Sequence, residues 1–464
     1  MLDQITLQEY SQTLSQPLIM PFDSGYDEGR SVWNGIVDKR PAMIANCTNV
    51  EDIKKCVNFA QGHDLLVSIK GGGHNVAGRA VCDDGLMINL SQMNAVAVDP
   101  VKRTVRVESG ATLGELDKET QKFGLATPVG IFSTTGIAGL TLGGGYGHLG
   151  RKHGLTIDNL LSVELVTAKG DLISANETEN PDLFWALRGG GGNFGVVTSF
   201  EFKLHELGPK IMIARVFYPI EDAKQVFKFY REFTSNAADE LAGNVYVLRV
   251  PPADPFPEAL QGKTAIALMV SYIGSLDDGK RALEPLENFG NPFLRLIMPM
   301  SFLALQTSFD PGAPKGVRSY WKTHYIDHVS DEAIDVFANH TNHIPGPLSI
   351  VGFESFGGAI NRVEENATAF PHRSASYILG VFSGWIEAEN DEKIINWTRE
   401  LYNKMKPFAS GGEYSNYLDH DDSDKVKASF GSNYARLQAV KNKYDPYNFF
   451  KVNQNIIPKP EVLG

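Results

Sequence analysis

Three glycine clusters constrain this chain more than any other feature. The first ends the run Val67-Ser68-Ile69-Lys70-Gly71-Gly72-Gly73-His74-Asn75, directly after an apolar, strand-like segment. The second is Gly143-Gly144-Gly145-Tyr146-Gly147 and the third is Gly189-Gly190-Gly191-Gly192-Asn193-Phe194-Gly195. Glycine lets a backbone turn sharply and lie against a ligand with no Cβ between them. Successive N–H groups in such loops make anion-binding concavities. One such loop is no more than a tight turn. Three in one half of a chain imply one large, extended, phosphorylated ligand.

The segments around these loops alternate strand and helix. Residues 42–46 read as a strand, and Asn49 starts a helix with Ile53, Val57 and Ala60 at helical spacing. Residues 65–69 form the next strand, so a βαβ unit ends at the first glycine loop. A strand at 85–90 follows. Residues 95–98 and 104–107 alternate around Asp99-Pro100, a hairpin signal. Residues 112–123 are helical, and 130–147 form a ligand-facing loop with one helical turn. A second hairpin, 161–167 with 171–174, turns at Lys169-Gly170; a short helix (181–187) and a strand (196–204) complete this part. At Leu207-Gly208-Pro209 the character changes. Strands become longer (211–217, 265–273, 377–385), helices fall at 222–233 and 391–405, aromatics increase and glycines thin out. This predicts a second α+β domain on an antiparallel sheet. The tail Tyr444-Asp445-Pro446-Tyr447-Asn448-Phe449-Phe450 resembles nothing in that domain and returns to the first.

Bulk properties exclude several classes. A chain of 464 residues is long enough for two domains or one large composite. A net charge of −12 argues against nucleic acid or anionic membrane as partner. No apolar run reaches membrane-span length, and the opening MLDQITLQEYSQTL lacks the regions of a signal peptide, so a cytoplasmic location is expected. The three cysteines, Cys47, Cys56 and Cys82, make no disulfide framework and fit a reducing compartment. No zinc-type spacing occurs, so no metal is expected. No G-x-G-x-x-G joins a strand to a helix with an acidic residue downstream, which disfavours a nicotinamide enzyme.

Six stretches together resemble the berberine-bridge-enzyme-like branch of the FAD-linked oxidases, within the vanillyl-alcohol-oxidase superfamily. They are GGGHNVAG (71–78), GLTLGGGYGHLGRKHGLTIDN (139–159), DLFWALRGGGGNFGVVTSFEF (182–202), TAFPHR (368–373), EYSNYLD (413–419) and KYDPYNFFKVNQNI (443–456). The resemblance implies an α+β, two-domain PCMH-type FAD-binding fold. Residues 1–205, completed by 430–464, would hold the FAD. Residues 206–429 would lay an antiparallel sheet over the isoalloxazine as a substrate domain.

The same resemblance implies roles for particular residues. His74 matches the histidine bonded to the flavin's C8 methyl carbon. Many relatives add a cysteinyl link; that position here is Phe132, and no cysteine follows Cys82, so FAD is expected on His74 with no cysteinyl link. Lys70, Gly71, Gly72, Gly73, His74 and Asn75 would wrap the pyrophosphate with backbone N–H groups, with Ile69 and Gly78 as further cofactor-binding positions. Ser91, Ser133, Thr134, Gly136 and Gly139 would add contacts, while Gly143, Gly144, Gly145 and Tyr146 allow close approach. Asp158, Asn159 and Val197 would hold the adenosine and ribose end, and Tyr447, Asn448 and Asn453 would close over the cofactor from the tail. Thr135 aligns with the residue that admits oxygen beside the flavin. In Tyr414-x-Asn416-Tyr417, taken as extended, Tyr414 and Asn416 share one face and meet the flavin. Tyr417 points into the substrate cleft as the candidate base; a phenol of pKa about 10 needs a cation or carboxylate nearby to do this, and Glu354 and Asp419 are the candidates. Relatives acting on plant alkaloids and cannabinoids carry a glutamate where Ile378 stands here. Glu354 is either a carboxylate supplied from a neighbouring strand or a solvated side chain. His372 and Arg373 are expected to fix a rigid turn.

The implied activity is an oxidase. An alcohol, sugar-like hydroxyl, phenol or amine gives a hydride to flavin N5, and molecular oxygen leaves as hydrogen peroxide. A tyrosine base favours an alcohol or phenol. A dehydrogenase of the same fold with another electron acceptor, and a flavin-carrying binding protein with little turnover, are the alternatives. The expected partners are a small-molecule substrate and oxygen, with the oligomeric state open.

Overall fold

The computed structural model describes residues 3–459. Its first half holds β1 (Met43–Asn46), β2 (Val67–Lys70), β3 (Leu86–Asn89), β4 (Val96–Asp99), β5 (Thr104–Glu108), β6 (Leu125–Ala126), β7 (Leu160–Val166), β8 (Leu172–Asn176), β9 (Val196–Lys203) and β10 (His205–Glu206). β1, β3 and β2 form a parallel sheet in that order, so β3 lies between the two strands of the βαβ unit. The connecting helix Val50–Gly62 is capped by Asn49, whose side chain accepts from the Asp52 N–H, and it buries Ile53, Val57 and Ala60. β4, β5, β9, β7 and β8 form an antiparallel sheet in that order, and β6 pairs with β10.

The second half is built on β11 (Lys210–Pro219), β12 (Leu241–Arg249), β13 (Thr264–Tyr272), β14 (Leu294–Ser301), β15 (Arg318–Ile326), β16 (Ile350–Ser355) and β17 (Tyr377–Trp385). They make one antiparallel sheet ordered β14-β11-β13-β12-β16-β17-β15. Side chains alternate between its faces, as period two requires. Val245, Val247, Val351, Phe353, Leu379 and Val381 join the core formed with the helices Ala223–Ser235, Leu276–Asn288, Asp331–Thr341 and Asp391–Met405. Tyr246, Glu354 and Phe382 line a cavity on the opposite face. The α+β class and the antiparallel sheet expected in the second half are present.

The tail packs on the first half. Leu437, Val440 and Ile456 share a core with Phe184, Leu187 and Phe200, and Ala369, Leu418 and Val426 from the 206–429 range join it. Lys441 Nζ, fully buried, pairs with Asp445 at 2.6 Å and donates to the carbonyls of Asn193 (2.7 Å) and Phe450 (3.0 Å). A buried ammonium requires such saturation, and it locks the tail onto the third glycine cluster.

One local expectation fails. Residues 414–417 are not extended: Ser415–Tyr417 is a turn of 3₁₀ helix, with the Tyr417 N–H on the Tyr414 carbonyl at 2.9 Å. They do not extend the sheet beyond β15. At that edge the Trp321 N–H goes instead to the Asp419 carboxylate at 2.9 Å. No helix among the described residues is long and apolar enough to cross a membrane.

Candidate active site

The glycine loops and the substrate sheet enclose a cavity of about 300 Å³. The glycines around it do two different jobs. Gly72 and Gly136 bring two loops into backbone contact, since a Cβ on Gly72 would lie 2.4 Å from the Gly136 nitrogen. Gly143 makes room for Asn416, and Gly145, at φ +79°, for Thr156. Gly144 and Gly145 therefore serve packing within the protein and do not line the cavity. Gly139 and Gly192 face it differently: an added Cβ would meet no heavy atom within 4 Å and would stand in the cavity.

His74 lies in the cavity wall with its ring stacked on Trp33 at 4.5 Å and near Phe132 at 5.9 Å. Its Nε2 is buried and has no partner among the described residues. Burial pushes the imidazole down to about 4, so it is neutral at neutral pH. Phe132 lines the cavity beside it, and none of the three cysteines does. A cavity with open glycines, a bare imidazole nitrogen and no cysteine in its lining fits a flavin dinucleotide.

Ile69, Asn75, Thr135, Tyr146, Val197, Tyr414, Asn416, Tyr417 and Asn453 also line the cavity. The Tyr414 hydroxyl accepts from the Gly145 N–H (2.8 Å) and from Asn416 Nδ2 (3.0 Å). Asn453 Nδ2 donates to the Gly192 carbonyl at 3.0 Å.

Other expected contacts lie elsewhere. Lys70 turns its ammonium away to the carbonyls of Gly29 and Ser31 (2.9 and 3.0 Å). Gly78 is a tight turn against Val37. Ser91 and Thr134 are exposed, and the Ser133 N–H donates to Asp310 at 3.0 Å. Asp158 is held bidentately by Arg373 (2.7 and 2.8 Å), which makes both residues structural. Asn159 caps the carbonyls of His153 and Leu155 and meets His205. Tyr447 is 94% exposed, and Asn448 sits in a turn at φ +54°.

Of the two alternatives for Glu354, the structure selects the carboxylate supplied from a neighbouring strand. It is 1% exposed, not solvated. Register places it opposite Ile378 on β17 and opposite Asn244 on β12. Its Oε1 accepts from the Tyr246 hydroxyl at 2.7 Å, and its Oε2 has no partner among the described residues. The polarity of this chain follows from one backbone group. The Ser355 N–H can only donate, and it meets Asn244 Oδ1 at 3.3 Å. Asn244 must then present Nδ2 to the Tyr246 oxygen (3.0 Å), and the Tyr246 proton must go to Glu354. Burial, partly opposed by that hydrogen bond, pushes the Glu354 acid up to about 7.

Tyr417 loses the base role. Its ring sits edge-on to Trp321, Phe382 and Tyr414. Burial first, and then the charge of Glu354, hold its phenol well above the usual range. Neither expected carboxylate helps it: Asp419 is committed to the Trp321 N–H and to His420, and Glu354 acts on it as a like charge.

Sequence reasoning missed Asn244, Tyr246, Trp33, Trp321, Phe382 and Arg79. Only Arg79 had a local signal, as a cation directly after GGGHNVAG.

The chain matches the FAD binding domain family over residues 41–176 and the berberine and berberine-like family over residues 413–457. An FAD-linked oxidoreductase of Dictyostelium discoideum is 34% identical over 92% of this chain and 91% of its own length. The (R)-6-hydroxynicotine oxidase of Paenarthrobacter nicotinovorans is 31% identical over 97% of this chain and 99% of its own. Among solved structures, 6-hydroxy-D-nicotine oxidase from Arthrobacter nicotinovorans superposes with a TM-score of 0.87 at 29% identity, covering 96% of this chain and 98% of that one. A chitooligosaccharide oxidase gives 0.86 at 25%, covering 98% and 99%.

Proposed function

We propose that this chain, which belongs to the berberine-bridge-enzyme-like family of FAD-linked oxidoreductases, is an oxidase of a small alcohol or phenol with Glu354 as the base. The carrying observation is the bare, buried Oε2 of Glu354 in a cavity walled by Trp321, Phe382 and Tyr417. Those walls offer few polar partners, which favours an aromatic alcohol or a phenol over a polyol. The oxidase names of the relatives support an oxidase over a dehydrogenase.

FAD, when bound, supplies a hydride acceptor at N5 that oxygen restores, giving hydrogen peroxide. Ile69, the Gly71–Gly73 loop, Gly139, Gly192, Val197 and Asn453 would hold it, with the neutral His74 as the single point of covalent attachment. Glu354 Oε2 takes the proton of the donor hydroxyl, since Oε1 is occupied by Tyr246. Tyr417 donates to the donor oxygen and orients it. The aromatic walls exclude water, so the carboxylate keeps its raised basicity. Thr135, half-buried on the wall and no wider than valine, leaves room for oxygen.

A screen of aromatic alcohols and phenols for peroxide release identifies a donor. Glu354→Gln should then keep its flavin and lose about 10²–10⁴-fold in anaerobic flavin reduction, the usual worth of a positioned acid–base group. Reduction as fast as in the parent removes Glu354 as base. Rapid anaerobic reduction followed by slow reoxidation in air identifies a dehydrogenase.

A further inference from the structure

Two charged side chains, Glu354 and Arg79, lie on the cavity wall among the described residues, and the mechanism above uses only one of them. Arg79 has no hydrogen-bond acceptor or ion-pair partner for its guanidinium among the described residues; its backbone N–H alone is engaged, by Asn75 Oδ1 at 3.3 Å. Its Nε is buried and bare. The charges that neighbour it do not satisfy it. Asp419 attracts it, but that carboxylate is spent on the Trp321 N–H and on His420. Lys39, which donates to the carbonyls of Gly78 and Val81, is a like charge beside it. Of the guanidinium only Nε is shut off from solvent, so the Nη groups are open to a ligand, and the planar fork matches a carboxylate bidentately.

Its position separates two anions that could fill this place, the cofactor's phosphates and an acid group on the substrate. Asn34 Nδ2 bridges the carbonyls of Val76 (2.7 Å) and Ser319 (2.8 Å), so the segment carrying Arg79 is clamped to the start of β15. Two residues on, Trp321 stands beside Tyr417 in the aromatic wall. Arg79 thus belongs to the aromatic end of the cavity, whereas Gly139 and Gly192 mark the open glycine floor. Glu354 is not paired with it.

We propose that Arg79 anchors a carboxylate on the substrate, so that the donor is an aromatic hydroxy acid whose reacting hydroxyl lies at Glu354. The donor's identity rests on the oxidase reading, but the anion site can be tested without turnover. The purified flavoprotein is titrated with acetate and benzoate, and with acetamide and benzamide as neutral isosteres, by calorimetry and by the flavin absorbance. One acid should bind at least tenfold tighter than its amide. Arg79→Gln should erase that difference at unchanged flavin content, and Arg79→Lys should recover part of it. If no acid outbinds its amide in the parent protein, or if Arg79→Gln retains the preference, the proposal is overturned. Loss of flavin from Arg79→Gln with the amide affinities kept would assign the arginine to the cofactor phosphates instead, and also overturns it. Peroxide release by uncharged donors only, with acids binding as stated, would leave the anion site standing and refute the hydroxy-acid donor.

Discussion

Replacing Tyr246 by Phe tests the proton chain most directly. The ring stays between its neighbours, so packing is nearly conserved. What is lost is the hydroxyl that donates to Glu354 Oε1 at 2.7 Å, the only hydrogen bond the carboxylate receives among the described residues. A hydrogen bond to a charged group is worth about 1.5–3 kcal/mol, which at 1.36 kcal/mol per pKa unit moves the acid up by roughly one to two units. The starting value is about 7, so the variant should titrate at about 8–9. Only the deprotonated carboxylate accepts the donor's proton, so the rate of anaerobic flavin reduction rises with pH through this value. The acid limb of the profile should therefore shift to higher pH. At pH 7 the deprotonated fraction, and with it the rate, should fall roughly five- to fifty-fold. The plateau at high pH should be recovered, since the base itself is intact. Stopped-flow reduction across pH, with the donor found by the peroxide screen, measures both features. A limb that stays in place while the plateau falls would mean that Tyr246 touches the substrate instead of tuning Glu354. A profile unchanged in both respects would refute the polarity derived from the Ser355 N–H.

Two further outcomes test the cofactor side. The protein should keep its yellow colour after acid precipitation, peptide mapping should find flavin on the His74 peptide alone, and His74→Ala should release flavin on washing; fully extractable FAD in the parent, or flavin on a Cys82 or Cys56 peptide, would contradict this. Thr135→Leu should slow reoxidation by oxygen far more than reduction by substrate, because the larger side chain fills space on the cavity wall, and equal reoxidation rates in stopped flow would take Thr135 out of that role.

The amino-acid sequence by itself determined the parts of this protein whose information is contiguous. The loop Gly71–His74 follows a strand because apolar residues and glycines are adjacent in the chain, and the tail segment Asp445–Asn453 carries its own turn chemistry. The strands of the substrate sheet are legible as long apolar runs. Even there, contiguity misled where two packings share one pattern: Gly143 to Gly145 read as a ligand cradle, yet only Gly143 lines the cavity, while a Cβ on Gly144 would meet Phe370 and one on Gly145 would strike Thr156. Tertiary structure alone decided the chemistry. Tyr246 and Glu354 are 108 residues apart and meet through the registers of β12 with β16 and β16 with β17, which no local spacing encodes. The same registers turn Glu354 from a surface candidate into a buried acid, and the commitment of Asp419 to β15 strips Tyr417 of the help it needed. Protonation state and hydrogen-bond direction are set by burial and by which neighbours can only donate, and both arise from contacts between segments far apart in the chain.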